Sequence, residues 1–535
     1  MVNIIKNKGA STLELLIAIA IISTVFASII LLVFGNQSVG VHTETNQEAL
    51  AIAKAKAEEL RAQSRADFQN VAEGNSTTTI GPIDYTVDTD VLDNSLCSKS
   101  ATTTVTWGGV GDLRPQYITL ETLFTDPAEA IRAGSACDPL PPSDDWDNPD
   151  TYGSTPPNVV DGQGKNIAVA SINGIRYVFL TTINPSPAKD DLWIFDATDP
   201  QGNVSSVTEI AIPASEGLVN ITVARNPNDG RWYAYALNSG TVDHLIVIDI
   251  TYPTSPAQVV AANRTLPDVT NAIAKSIFYY DQKIYIGTET IPPPPPCIPP
   301  PPCIPVLNHE FHVYDVSDPT DPQWRGSLDI DSDVNDIVVQ SDYAYLATSD
   351  SDSEVMIIDI SNPASMEHPD ITGLKFDAET ITGCASTEAG ISIFIVGTKV
   401  YLGRERVNDA DEHDFYILDI PKLLTSAPPS ELILGSIRLE DSCIPQPNCG
   451  LGPNEEISGI AVQSRYAFLG TTYSNASFQV WDISDPSDIY QPTECGSYGF
   501  PQEVARVRYF DNLVFVAIRS NEALRVIYDQ PATCS

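Results

Sequence analysis

From about residue 160 onward, short apolar runs recur along the chain, and nearly all of them end in an aspartate followed by a turn. Runs of Val, Ile, Tyr and Phe bounded by Asp, Ser and Pro are typical of β-strands. Two further apolar runs precede each copy, in a constant order. The copies are LWIFDATDP (192–200), LIVIDITYP (245–253), FHVYDVSDP (311–319), VMIIDISNP (355–363), FYILDIPK (415–422), FQVWDISDP (478–486) and the degenerate LRVIYDQP (524–531).

The spacing of these copies predicts the fold of this region. The period runs from about 44 to about 66 residues, the range of four-stranded propeller blades with loop insertions. The V-x-D-[IV]-[ST]-[DN]-P core resembles the LVIVD-type repeat of cell-surface propellers, and this resemblance implies seven blades within residues 160–535. The seventh copy ends soon after its third strand. We therefore expect residues just before the first repeat to supply its outer strand and remove the exposed sheet edges.

The aspartate that ends each apolar run is predicted to have a structural role. Its carboxylate can accept backbone N–H groups in the following turn, and the proline a few residues later stops the strand ladder. These turn aspartates are Asp196, Asp249, Asp315, Asp359, Asp419 and Asp482.

The N-terminus carries a second apolar pattern. A short basic start is followed by twenty uncharged residues at 15–34. That length is sufficient to span a bilayer as a helix, and a plain signal anchor is the simplest interpretation. Glu14 at the start of the run argues against that interpretation, because an ionisable group beside a spanning helix is costly without a partner.

This segment, KGASTLELLIA, resembles the type III leader of type IV pilins and pseudopilins. In that family cleavage follows a glycine and a glutamate stands fifth in the mature chain, positions that Gly9 and Glu14 match. Ala10 departs from the usual Phe, Met or Leu at the first mature position. The resemblance implies a prepilin peptidase that cuts between Gly9 and Ala10. It further implies residence in the cytoplasmic membrane, then assembly with other pilin subunits through Glu14.

Downstream of the apolar run the pattern changes twice. Residues 42–73 have helical periodicity with Gly74 as a plausible stop, and residues 78–125 alternate as strands do. The chain thus divides into a leader (1–9), a membrane helix and stem (10–74), a small pilin-like β head (75–137), a linker rich in Pro, Asp and Ser (138–159) and a propeller (160–535). The fold class is mainly β with one long N-terminal α-helix.

Charge and cysteine content restrict the possible partners and the compartment. The formal charge is −41, with 70 acidic and 29 basic residues, so the chain repels nucleic acid. Nine cysteines indicate an oxidising compartment. The candidate disulfide pairs are Cys97 with Cys137, Cys297 with Cys303 and Cys443 with Cys449. Cys384, Cys495 and Cys534 have no assigned pairing.

Candidate sites for metal binding or catalysis are sparse. The aspartates Asp329, Asp331, Asp333 and Asp336 could present carboxylates to calcium, although no EF-hand pattern is complete. Otherwise no cofactor is expected. The sequence lacks the HExxH, GxSxG and Walker patterns.

We therefore expect a non-enzymatic minor pilin-like or pseudopilin-like subunit with its propeller outside the cell. The chain would reside in the cell membrane or in a filament at the cell surface. In either place its propeller would bind an unknown extracellular ligand. The alternative is an envelope-anchored propeller hydrolase or lyase with acid, base or metal residues at the central channel.

Overall fold

The structure is a computed structural model of the 535-residue chain. It describes residues 43–69, 71, 73–81, 83–108, 115–134, 137, 142, 146, 148–152, 163–183, 191–201, 204–213, 217–240, 242–267, 269, 272–289, 308–350, 352–378, 388–405, 413–425, 427–439, 456–472, 476–487, 489, 497–520 and 522–529. The chain forms two compact units. The first contains residues 1–92 and 99–125, and the second contains residues 93–98 and 126–535.

The first unit packs one helix on one sheet. Helix α1 (Thr43–Ala66) lies on a four-stranded sheet in the order β1-β2-β3-β4. The strands are β1 Gly74–Ile80, β2 Ile83–Ser95, β3 Ser98–Trp107 and β4 Gln116–Thr125. Ala49 and Ala53 of the helix pack against Tyr85 and Trp107 of the sheet. These alanines recur at helical spacing, so one face of α1 is apolar and close to the strands.

Helix α1 ends at Ala66, eight residues before the Gly74 that the sequence suggests as its stop. After the helix, Phe68 and Val71 turn inward and pack with Leu60. The two side chains thus extend the apolar contact of Leu60 beyond the end of the helix, and Gly74 begins β1.

The predicted membrane segment at 15–34 lies outside the described residues, as do Gly9, Ala10 and Glu14. Within the described ranges, no helix has the length and apolar character to cross a membrane.

The second unit contains seven four-stranded sheets, numbered here as blades in chain order. Blade 1 is β6 Gln163–Ile172, β7 Ile175–Ile183, β8 Leu192–Asp196 and β9 Ser205–Ile210. Blade 2 is β10 Leu218–Arg225, β11 Trp232–Asn238, β12 Leu245–Asp249 and β13 Ala257–Gln258. Blade 3 is β14 Ala274–Tyr280, β15 Lys283–Thr288, β16 Phe311–Asp315 and β17 Gln323–Leu328. Blade 4 is β18 Val334–Gln340, β19 Tyr343–Thr348, β20 Val355–Asp359 and β21 Lys375–Phe376.

The remaining three blades complete the series. Blade 5 is β22 Gly390–Val396, β23 Lys399–Arg404, β24 Phe415–Asp419 and β25 Ile433–Ile437. Blade 6 is β26 Ile457–Gln463, β27 Tyr466–Thr471, β28 Phe478–Asp482 and β29 Ser497–Tyr498. Blade 7 is β30 Val504–Phe510, β31 Leu513–Ile518, β32 Leu524–Asp529 and β5 Pro149–Thr151. Short helices lie around the blades: α2 Pro127–Ala133, α3 Pro369–Thr372, α4 Ile420–Leu423 and α5 Pro429–Leu432, with 3₁₀ turns at Val260–Ala262 and Pro363–Ser365.

The first strands of the seven blades contact one another in a closed ring, β6-β10-β14-β18-β22-β26-β30-β6. A separate apolar cluster fills the space between each pair of successive blades, including blades 7 and 1. Sheets that bury both faces against neighbours explain the near-continuous apolar runs in the sequence. The arrangement is consistent with a β-propeller of seven blades.

Blade 7 combines both ends of the propeller. Its outer strand β5 pairs antiparallel with β32, matching Thr151 with Ile527 and Pro149 with Asp529. This confirms the prediction that residues before the first repeat supply the missing strand. The pairing supplies hydrogen-bond partners to the edge of β32 that would otherwise be exposed. It also joins the two ends of the propeller within blade 7.

The hairpins that join first and second strands have tight turns. Asp281 and Gln282 between β14 and β15, and Asp511 and Asn512 between β30 and β31, all have positive φ. Two consecutive residues with positive φ are the requirement of a type I′ turn, whose twist matches that of paired strands.

Candidate functional site

The first strand of every blade has an irregular register near its beginning. A β-bulge re-aims the side chain that follows it. The residues directly after the register shift are Asn166, Asn220, Ser276, Asp336, Ser392, Gly459 and Arg506. All seven are buried, and six of them are polar, so the innermost strands carry one buried polar ring.

Side chains at or beside these bulges tie five of the blades to the next one. In blades 2 to 6, one such side chain donates a hydrogen bond to a backbone carbonyl on the following innermost strand. The pairs are Asn220 to Lys275 (3.0 Å), Ser276 to Val334 (2.8 Å), Asn335 to Gly390 (2.8 Å), Ser392 to Ile457 (2.6 Å) and Ser458 to Val504 (2.6 Å). These bonds supply donors to buried backbone carbonyls near the bulge of the next blade.

One ion pair crosses the channel. Arg506 of blade 7 donates from Nη2 to both carboxylate oxygens of Asp336 in blade 4, at 2.5 Å. Asp336 also accepts the backbone N–H groups of Ile337 (3.0 Å) and Ile393 (3.1 Å). Both side chains are almost fully buried. A buried carboxylate with a cation and two N–H donors is well compensated.

Beside this ion pair lies a cavity of about 50 Å³. Its apolar lining comes from the innermost strands of blades 3 to 6, and Arg506, Arg508 and Gln463 are among its polar lining residues. Burial and then the neighbouring charge of Arg506 lower the pKa of Arg508 to about 9, with Asp336 opposing the shift. The centre of the propeller therefore contains two guanidinium groups.

One end of the channel is covered by what we call the plug, composed of Asp93–Ser98, Asp126–Gly134 and Cys137. Ser95 and Leu96 line the cavity, and Asn94 accepts a 2.8 Å hydrogen bond from the N–H of Ser464. Cys97 and Cys137 form a disulfide. The pairing is the one that the sequence suggests, and it joins the two segments of the plug.

Helix α2 attaches the plug to blade 3. Tyr280 donates to the Glu129 carboxylate at 2.8 Å, and burial raises the pKa of Glu129. Gly134 has φ +59, and a Cβ there would lie 2.9 Å from the side chain of Ala224. Glycine is therefore required at this point for both conformation and space.

The opposite ends of the innermost strands carry charged side chains, which we call the charged mouth. Lys275 pairs with Asp333 at 2.9 Å, and Arg519 contacts Glu503 at 2.6 Å and Glu456 at 3.5 Å. Burial raises the pKa of Glu456, while burial and then Arg519 lower the pKa of the half-buried Lys165. Desolvated acids and bases at a channel mouth are typical of binding and catalytic sites.

The turn aspartates make the hydrogen bonds expected of their position. Each accepts a backbone N–H two or three residues later, at 2.9 Å in five blades and 3.2 Å in the other. The donors are Thr198, Thr251, Ser317, Ser361, Lys422 and Ser484, for Asp196, Asp249, Asp315, Asp359, Asp419 and Asp482 respectively.

The candidate calcium ligands lie in different environments. Asp333 pairs with Lys275 and Asp336 with Arg506, while the Asp329 carboxyl lies against Glu310. Across the part of the chain that the structure describes, no group of three or more His, Cys, Asp or Glu side chains could hold a metal ion. Cys297, Cys303, Cys443 and Cys449 lie outside the described residues.

The sequence did not reveal the polar ring, the Arg506–Asp336 pair or the plug. Asp336 and Arg506 are 170 residues apart. An observable signal was the presence of Arg506 and Arg508 within the otherwise apolar first strand of the last repeat, because an arginine among buried strand positions needs a buried partner.

Comparison with known proteins identifies the repeat. A model of the LVIVD repeat matches residues 331–368 and 457–499, which lie in blades 4 and 6. No curated protein matches the chain.

Among solved structures, the computationally designed Ika8 protein matches with a TM-score of 0.40 and 10% identity over 71% of this chain and 99% of that chain. The computationally designed Ika4 protein matches with a TM-score of 0.24 and 14% identity over 37% of this chain and 92% of that chain.

Proposed function

We propose that the chain is a minor type IV pilin-like or pseudopilin-like filament subunit that displays its β-propeller outside the cell for adhesion or partner binding. The observation that carries the proposal is the order of elements in the first unit. Helix α1 packs on a four-stranded sheet and comes after the apolar run at 15–34 in the chain, which Gly9, Ala10 and Glu14 precede.

The packing of α1 supports a stem that continues from a membrane helix. Its apolar face is occupied by the sheet, and Tyr85 donates a 2.8 Å hydrogen bond to Glu48 near the beginning of the helix. The helix is thus held against the sheet from its first turns.

Mass spectrometry of the mature chain from its native host tests the cleavage. A mature N-terminus at Ala10 is expected, because a prepilin peptidase would cut after Gly9. An intact Met1 would contradict the pilin assignment and favour a plain membrane anchor.

Substitution of Glu14 tests assembly. Glu14→Ala should still insert in the membrane but should enter filaments poorly, because the freed amine of Ala10 would lose its carboxylate partner within an apolar core. Quantitative blotting of sheared filament and membrane fractions measures this. Glu58→Ala is the matched control, since Glu58 is exposed on α1. Equal filament incorporation of Glu14→Ala and Glu58→Ala would refute the assembly role.

The charged mouth is the preferred ligand-binding face, because the plug covers the other end of the channel. It also favours a second candidate function, an envelope-anchored hydrolase or lyase, through the raised pKa of Glu456 beside the lowered pKa of Lys165. A polysaccharide panel scored for both binding and cleavage separates the two functions. Cleavage that Glu456→Gln abolishes while binding persists would favour the enzyme, and binding without cleavage would favour adhesion.

A further inference from the structure

The central cavity contains more positive than negative charge among the described residues. Arg506 and Arg508 both line it, and Asp336 is the carboxylate that pairs with Arg506. No carboxylate of the described residues pairs with Arg508, whose hydrogen bond to the Val507 carbonyl is long at 3.4 Å. Among the described residues, one guanidinium charge is therefore left without a carboxylate paired to it.

The position of Arg508 makes this imbalance costly. The Arg508 side chain is partly buried and lines the cavity, so much of it is withdrawn from bulk water. A buried charge is expensive unless it is paired and hydrogen-bonded. Arginine keeps its proton even when its pKa falls to about 9, so deprotonation near neutral pH does not relieve the cost.

The cavity volume restricts what could balance the charge. One water needs roughly 10–15 Å³ of such space, so about 50 Å³ holds a few waters or one small ion with part of its hydration. The plug covers one end and the Arg506–Asp336 pair lies beside the cavity, so large ligands are excluded. Arg508 supplies up to five N–H donors and Arg506 has a buried Nε without a hydrogen-bond partner.

We propose that this cavity is a binding site for a small monovalent anion, of the size of chloride, held chiefly by Arg508. The anion would neutralise Arg508 and accept hydrogen bonds from both guanidinium groups. The site would stabilise the propeller from its centre, because a ligand that binds only the folded state raises the stability of that state.

Bromide provides a direct probe of the site in the unmodified full chain. Crystals of the full chain in detergent, soaked in sodium bromide, should show an anomalous peak in the cavity within hydrogen-bonding distance of the Arg508 guanidinium. A cavity that contains only water, with no anomalous peak, would overturn the proposal.

Thermal unfolding of the full chain gives a second, independent measurement. Replacing gluconate, which is too large for the cavity, with chloride at constant ionic strength should raise the melting temperature by about 2 °C for each tenfold increase in chloride above Kd. Arg508→Met should lose this response, while Arg508→Lys should keep part of it. Arg231→Met, which removes an exposed charge far from the channel lining, should respond like wild type. An equal chloride response in wild type and Arg508→Met would also overturn the proposal.

Discussion

The side chain of Glu310, just before β16, is buried. None of the groups that shift its pKa is a cation. Its Oε2 accepts the N–H of Ile330 at 2.9 Å. Burial and then the neighbouring Asp329 raise the pKa of Glu310 to about 8. The carboxyl group is therefore mainly protonated in the folded protein at neutral pH, while an unfolded chain would ionise it near its ordinary value of 4.5.

This difference predicts a pH dependence of stability. The folded state binds one more proton than the unfolded state between pH 4.5 and 8, so the contribution of Glu310 is present below pH 4.5 and is lost as the pH rises through 8. Glu310→Gln should flatten this fall and should be more stable than wild type at pH 8, as measured by urea denaturation from pH 5 to 9. The exposed Glu209→Gln serves as control. A wild-type slope that Glu310→Gln leaves unchanged would contradict the prediction.

The turn aspartates and the channel ion pair show what the sequence can predict at the scale of a residue. Each turn aspartate bonds within three residues of itself, so its role could be inferred from the local pattern. Asp336 accepts a hydrogen bond from Arg506 across the ring, and the sequence around either residue does not indicate its partner. The sequence grouped Asp336 with neighbouring aspartates as a weak calcium candidate, whereas the fold directs it to an arginine.

At the scale of elements, the segment before the first repeat has more structure than its composition indicates. Residues 138–159 are rich in Pro, Asp and Ser, which marks a linker. Yet β5 lies within this segment, and Tyr152 stacks on Tyr528 of β32 with ring centroids 3.8 Å apart. Trp146 is fully buried and packs on Phe468 of blade 6 at 4.8 Å. A three-residue strand and an isolated tryptophan give no periodic signal, so composition dominated the prediction.

Trp146 should therefore contribute to the joint between blades 6 and 7. Trp146→Ala removes a fully buried indole, and we expect a loss of about 3–5 kcal/mol in the free energy of unfolding. Guanidinium denaturation monitored by circular dichroism measures the loss. Trp324→Ala is the matched control, because Trp324 is 47% exposed and should change stability by about 0.5 kcal/mol or less. Similar losses of unfolding free energy in the two variants would show that Trp146 does not stabilise the contact between blades 6 and 7.

The strands of each blade were the most predictable elements. The three apolar runs per repeat correspond to the first three strands of each blade, because both of their faces are buried and the signal is repeated seven times. The fourth strands are short, down to two residues, and partly exposed. They carry little apolar pattern, so their positions were not predicted from the sequence. The exception is the fourth strand of blade 7, which was expected from the residues just before the first repeat.

At the scale of the whole molecule, the disulfide links segments that are distant in sequence. Cys97 and Cys137 are 40 residues apart, and the four-stranded sheet's last strand lies between them in the chain. Both sulfur atoms are buried within the plug. The disulfide therefore keeps Asp93–Ser98 in place at the cavity, while residues 99–125 between the two cysteines belong to the first unit.

Removing this disulfide should loosen the plug. For a closed loop of 40 residues, chain entropy predicts a loss of about 4 kcal/mol in Cys97→Ser/Cys137→Ser. Hydrogen exchange should increase first at residues 94–97, before the blade strands are affected, and this can be followed by mass spectrometry. The N–H groups of β10, in a blade that contributes no cavity lining, serve as the internal reference. Unchanged protection of residues 94–97 in the double variant would show that packing alone holds the plug.

The pairing of β5 with β32 has a consequence for biosynthesis. Asn148 and Asp529, which are joined by a 3.0 Å hydrogen bond, are 381 residues apart in the chain. At about 5–20 residues per second, translation leaves β5 waiting roughly twenty seconds to over a minute for its partner. Throughout that interval blade 1 lacks the apolar neighbour that blade 7 will provide, so the nascent chain presents an adhesive surface until its last strand emerges. Folding of this chain should therefore depend on a chaperone that holds it open, and a ribosome stall within the last blade should leave an aggregation-prone product.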